Sequence, residues 1–109
     1  SYSPEFQKEF DRFLKKYRSL SDDLKSFEKV IFAFSTGFGK NFTVMYDSVN
    51  LKIVKARLMC KSLRNRNIRI IYAYHEAVLT FMYIEIYYKG DKNNEDKERI
   101  KEYISKFKK

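Results

Sequence analysis

The sequence predicts an α+β fold in which a two-helix N-terminal hairpin packs on a small antiparallel β-sheet of three to four strands, followed by a C-terminal helix. Two observations carry this. Apolar residues recur at helical spacing up to Phe34, and from Phe42 onward their period falls to two. A final charged segment returns to helical spacing. At 109 residues the chain has room for one core, so residues 1–109 are expected to form a single domain.

Ser3-Pro4-Glu5 marks the first helix start, with Ser3 as N-cap, Pro4 at the first helical position and an acid in the first turn. Phe6, Phe10, Phe13, Leu14 and Tyr17 then form an apolar stripe opposite Lys8, Asp11, Arg12 and Lys15. Ser21 ahead of Asp22 and Asp23 signals the second helix, with Leu20 stapling its start. Leu24, Phe27, Val30, Ile31 and Phe34 make its buried face. Residues 35–41, with Gly37 and Gly39, read as a loop. Phe38 and Phe42 either pack back on the helices, the expected outcome, or mark a partner contact.

Leu51 to Cys60 alternates, with Val54, Ala56, Leu58 and Cys60 on one face and Lys55 and Arg57 on the other. A polar bend runs from Lys61 to Asn67. The next strand puts Ile68, Ile70, Tyr72 and Tyr74 opposite Arg69, Ile71, Ala73 and His75. His75-Glu76-Ala77 is the expected turn. The last strand, Val78 to Tyr88, is predicted to carry Met82, Ile84 and Ile86 on the core face and Tyr83, Glu85, Tyr87 and Lys89 opposite. A helix with Ile100, Tyr103, Ile104 and Phe107 as its stripe then runs to the chain end.

The net charge of +9 is unevenly placed. No Asp or Glu occurs between Ser48 and His75, where Lys52, Lys55, Arg57, Lys61, Arg64, Arg66 and Arg69 all fall. Such a stretch is either a solvated surface or a polyanion site, with nucleic acid the first candidate. One Cys and one His cannot build a four-ligand zinc site, and no P-loop, GxGxxG or HExxH motif is present. Neither a metal nor another cofactor is expected. Without a long apolar run, a membrane is not expected as a partner, and a cytoplasmic setting fits the lone thiol. Ser1 rather than Met stands first, consistent with a trimmed native start.

If the first two helices cover the face of Val54, Ile70 and Ile84, the opposite face gathers Lys55, Arg57, Arg69, Glu85, Tyr87 and Lys89. Cleaving RNA without a metal requires activating a 2′-hydroxyl, stabilising a dianionic phosphorane and protonating the leaving 5′-oxygen. Fixed cations serve the second need, and an Arg fork donates two bonds to phosphate. Tyr87 and the lysines are candidates for moving protons. Glu85 is either a base or an anchor for an arginine, the anchor being the expected role. His75 is expected to be solvent-exposed at its turn and outside the chemistry, and Cys60 to be a small core residue.

Several segments, in order, resemble the RelE/ParE superfamily of bacterial and archaeal toxins. They are Tyr2-Ser3-Pro4-Glu5-Phe6, Val54-Lys55-Ala56-Arg57-Leu58, Cys60-Lys61-Ser62-Leu63, Ile68-Arg69-Ile70-Ile71-Tyr72-Ala73-Tyr74 and residues 84–92. The resemblance spans nearly the whole chain apart from residues 35–47. It implies two helices on a small antiparallel sheet, a strand ahead of the first helix, and a ribosome-dependent, metal-independent messenger RNA endoribonuclease restrained by a cognate antitoxin. The family's basic pair on one strand is matched by Lys55 and Arg57, its next arginine by Arg69 and its terminal arginine by Lys89. The family's tyrosine lies beyond that last position, where this chain has none, so Tyr87 stands in by geometry. Lys61, Arg64 and Arg66 fall in the bend and are expected to dock RNA backbone. A ParE-like inhibitor of DNA gyrase and an inactive RNA-binding relative are the alternatives within the same fold.

Overall fold

The computed structural model describes residues 1–107, so Lys108 and Lys109, to which the last helix was expected to run, lie outside the described residues. The elements are α1 (Pro4–Lys16), α2 (Leu20–Ala33), β1 (Phe42–Asp47), β2 (Leu51–Cys60), β3 (Asn65–His75), a 3₁₀ turn (Glu76–Val78), β4 (Thr80–Tyr88) and α3 (Lys97–Phe107). The four strands form one antiparallel sheet in the order β1-β2-β3-β4. The chain is therefore α+β, with three helices and a four-stranded sheet.

The Ser3 hydroxyl caps α1 by accepting from the Phe6 N–H at 3.1 Å. The Ser21 cap is not formed. The helix begins earlier, at Leu20, which is fully buried, and Ser19 takes the N-cap position. Ser19 does not cap a backbone N–H; its hydroxyl donates to Asp23 at 2.7 Å and accepts from the Ser62 N–H at 2.8 Å. Asp23 also accepts from the Lys61 N–H at 3.1 Å. The β2–β3 turn is thereby fastened to the start of α2. The two helices lie mainly on the sheet, α1 over β4 and α2 over β2.

Beneath them Phe6, Phe10, Phe27, Val54, Ile70, Tyr72, Tyr83 and Ile86 form the larger core, with Cys60 buried among them. This corrects the alternation expected for β4. The β3–β4 register slips between Ile71 and Tyr72, where Ile71 faces Glu85 but Tyr72 faces Tyr83, so Ile84 is the extra residue of a β-bulge. Phe81 and Tyr83 consequently turn to the helix side and Met82 and Ile84 to the other, so of the three residues expected on the core face only Ile86 is there.

The second face is not open along its length. α3 lies across it, and Ile100, Tyr103 and Ile104 cover Leu51, Ile53, Ile71, Ala73 and Ile84. The sheet is thus enclosed on one face and half-enclosed on the other. At the outer edge of β4, Tyr2 bridges in parallel to Tyr83, the Ser3 N–H donating to the Tyr83 carbonyl and the Tyr83 N–H to that of Ser1, both at 2.9 Å.

α3 is held by Glu85, which is wholly buried on β4. Its carboxylate accepts from Lys92 and from the Asp96 N–H just ahead of the helix, and lies 3.5 Å from Arg99. Arg99 also donates to Glu9 of α1 at 2.7 Å. Replacing Glu85→Ala should lower unfolding stability by about 3 kcal/mol, because it removes one partner of a buried ion-pair network. A urea titration in which the variant shifts by less than about 0.5 kcal/mol would show that the network is peripheral.

Candidate nucleic-acid interface

Pairing across β2, β3 and β4 determines which side chains meet on the uncovered half of the second face. Arg57 lies opposite Arg69, and Arg69 opposite Tyr87, forming one rung; Lys55, Ile71 and Glu85 form the next. Alternation therefore brings Lys55, Arg57, Arg69, Glu85 and Tyr87 to one side, as expected. Lys55, Arg57, Arg69 and Lys89 line a hollow of about 200 Å³ together with Lys40, Asn41 and Thr43. The last three were not anticipated. They enter because β1 pairs with β2, the Arg57 N–H donating to the Asn41 carbonyl at 2.9 Å. Period-two patterning from Phe42 was the available signal for that strand.

The cations of this hollow are not equivalent. Lys55 makes a salt bridge with Glu95 at 3.1 Å, and the Glu95 carboxylate is itself 6% exposed. Burial pushes Glu95 up, but its own backbone N–H and the Lys55 and Lys97 charges outweigh this, leaving it below the usual range. Arg69 is only 8% exposed, donates to the Arg66 carbonyl, and has no carboxylate partner among the described residues. Burial and the adjacent Arg57 charge lower its pKa, with Tyr87 opposing. A buried guanidinium without an acid is costly, and it satisfies itself by meeting an anion. Arg57 and Lys89 are exposed and equally without a carboxylate among the described residues.

Tyr87 is buried beside Arg69 and does not line the hollow. Burial first, then Glu95 and Glu85, push its phenol up to about 12. It is protonated at neutral pH, as an ordinary phenol is, and the upward shift makes it a weaker acid than one. Glu85 occupies the anchor role described above. Of the bend residues, Lys61 and Arg66 rim a second hollow between α2 and the β1–β2 edge, shared with Arg57. Arg64 lines neither hollow; it closes the turn with φ +54° and an exposed side chain. Lys52, on the helix side, pairs with Asp47 and Glu76.

His75 differs from its expected exposed position. It is partly buried against α3, where Nε2 meets the Tyr103 hydroxyl and Phe107 packs edge-on at 4.6 Å. This places it away from the cationic hollow. Burial lowers its pKa from the ordinary 6.5. Below 6.5 the unfolded chain takes the proton more readily, so the stability His75 contributes is present above that pH and declines as pH falls toward the lowered folded value. The urea midpoint of the wild type should therefore drop between about pH 7.5 and 5.5, and His75→Gln should flatten that decline; equal slopes would overturn it.

No helix among the described residues is long and apolar enough to cross a membrane, and none of their His, Cys, Asp and Glu side chains cluster in threes suited to a metal ion. No family model, curated protein or solved structure matches the chain.

Proposed function

We propose that the protein is a RelE-like toxin, an endoribonuclease that cuts messenger RNA on the ribosome, works without a metal and is restrained by a cognate antitoxin. The observation that carries this reading is Arg69, a buried arginine with no carboxylate partner among the described residues, set beside Arg57, which likewise has none among them. An RNA phosphate in the hollow supplies the missing anion. The ordered segments that resemble the RelE/ParE superfamily narrow a general phosphate site to this family. The short parallel bridge of Tyr2 to Tyr83 supports it, since it occupies the position before α1 where the family carries a strand.

In the proposed reaction the ribose 2′-oxygen passes its proton to solvent water and attacks phosphorus, forming a 2′,3′-cyclic phosphate. The bond to the 5′-oxygen breaks, and that oxygen receives a proton. Arg69, Arg57 and Lys89 stabilise the charge that grows on the phosphoryl oxygens. Lys89, an exposed ammonium lining the hollow, is the proton donor for the leaving oxygen, and Tyr87, buried beside Arg69 and outside the hollow, supports that side chain. Lys55 is tied to Glu95, so its part is to position and screen. The three bend cations extend the contact to neighbouring phosphates, which orient RNA without reading its sequence.

Expression without an antitoxin should arrest growth and leave messages cut within codons. Arg69→Ala should reduce cleavage on purified ribosomes by about 100-fold or more, the scale of losing a transition-state donor. Growth arrest with intact messages would reject the endonuclease, and inhibition of gyrase in a supercoiling assay would reassign the chain to the ParE-like branch. Glu95→Gln should tighten binding of inorganic pyrophosphate severalfold, because it frees Lys55; unchanged or weaker binding would mean that the hollow is not the anion site.

A further inference from the structure

The second hollow, between α2 and the β1–β2 edge, has a character the phosphate chemistry does not use. It measures about 380 Å³, and Phe27, Val30, Phe42 and Leu58 give it an apolar floor. Phe38 stands at its mouth, 62% exposed. The loop that presents this ring is built for it. Gly37 and Gly39, on either side, both take left-handed backbone at φ +70° and +76°. A β-carbon on Gly37 would lie 2.0 Å from the Phe42 ring. Phe38 is held near-parallel to Phe42 at 6.5 Å, and Phe42 to Phe27 at 5.8 Å, so the exposed ring ends a ladder rooted in the core.

The surroundings of the ring decide what fits it. Arg57, Lys61 and Arg66 line the same hollow, and none has a carboxylate partner among the described residues. Its one acid, Asp23, is occupied by Ser19 and the Lys61 N–H. Asn41 and Arg57 also line the phosphate hollow, so the two cavities share a wall. A ligand suited to both carries anionic groups beside flat apolar faces, which describes a single nucleic-acid strand.

We propose that the hollow is a nucleobase subsite, where one base of a single-stranded RNA stacks on Phe38 while a phosphate of the same strand sits across the Asn41–Arg57 wall. This rests on the phosphate reading of the neighbouring hollow. Stacking on an aromatic ring tolerates every base, so the subsite adds affinity and register without strict sequence preference. It also accounts for a large apolar ring left in water on a basic surface.

The chain has no tryptophan, so Phe38→Trp makes a single fluorescent reporter at the subsite. The probes are a 2′-O-methyl adenosine hexamer, which cannot be cleaved, and an abasic strand of equal length. The hexamer should quench the reporter, and the abasic strand should bind without quenching. Phe38→Ala, at an exposed position, should weaken hexamer binding about tenfold and leave the abasic strand unaffected. Arg69→Ala should weaken both strands. If Phe38→Ala leaves the hexamer unaffected while Arg69→Ala weakens both strands, the base subsite is wrong and the phosphate site stands. If only Phe38→Ala has an effect, the phosphate reading fails. Failure of both strands to bind overturns both readings. Self-association of the wild type that Phe38→Ala abolishes, with hexamer binding unaffected, would make the ring a protein contact instead.

Discussion

A buried carboxylate decides where the last third of this molecule goes. Glu85 faces the side of β4 away from the first two helices, and burial of a charge there is unfavourable unless the charge is met. It is met by Lys92, by the Asp96 N–H and by Arg99, all from the segment that follows β4. Arg99 in turn reaches Glu9, tying the same network to α1. Burial disfavours the charged Arg99, but Glu9, Glu85 and Asp96 outweigh it and raise its pKa. With the start of α3 fixed in this way, its apolar stripe falls on Leu51, Ile53, Ile71 and Ala73. The network therefore divides the second face into a covered apolar half and an uncovered cationic half.

That division gives the cationic hollow its properties. The segment descending from Gly90 to α3 brings Glu95 against Lys55 and close to Tyr87, which pairs one cation and raises one phenol. It leaves Arg57, Arg69 and Lys89 without a carboxylate partner among the described residues. Arg69 is central, being on β3 with Arg57 and Tyr87 as its neighbours on the flanking strands. Arg69 has a paired side chain on either side, whereas Arg57 lies where the β1 pairing ends and Lys89 just past the end of β4, and Arg69 is buried while those two are exposed.

Much of this was legible because it depends on local periodicity. The alternation of Lys55 and Arg57 with Val54 and Ala56, and of Arg69 with Ile68 and Ile70, places those cations opposite the apolar face of their own strands, and the β2–β3 pairing then brings them to one side. The cap at Ser3 was readable for the same reason. What could not be read is non-local. The bulge at Ile84 is visible only once β3 and β4 are aligned, and it sent Tyr83 into the core against the pattern. The cap moved from Ser21 to Ser19 because a turn 43 residues away supplies the partners. His75 was expected in solvent because nothing in its neighbourhood indicates that Tyr103 and Phe107 return to cover it.

The two features that single out the cationic hollow and the aromatic-mouthed hollow beside it have one origin. A small sheet with an apolar side for each helix has little surface left for binding, and here that surface is the end of the sheet where β1 begins. Asn41 and Arg57 stand at that end, joined by a backbone hydrogen bond just beyond the Phe42–Ala56 rung of the β1–β2 pairing, and both hollows open beside them. On one side of the rung lie cations that alternation directs away from the core. On the other lies an aromatic ring that two left-handed glycines direct away from it. Packing alone accounts for neither: Arg69 is buried without a carboxylate partner among the described residues, and Phe38 touches Phe34 and Phe42 yet leaves most of its surface in water. Their convergence on one strand pair is better explained by a ligand with both phosphates and flat rings than by either feature arising alone.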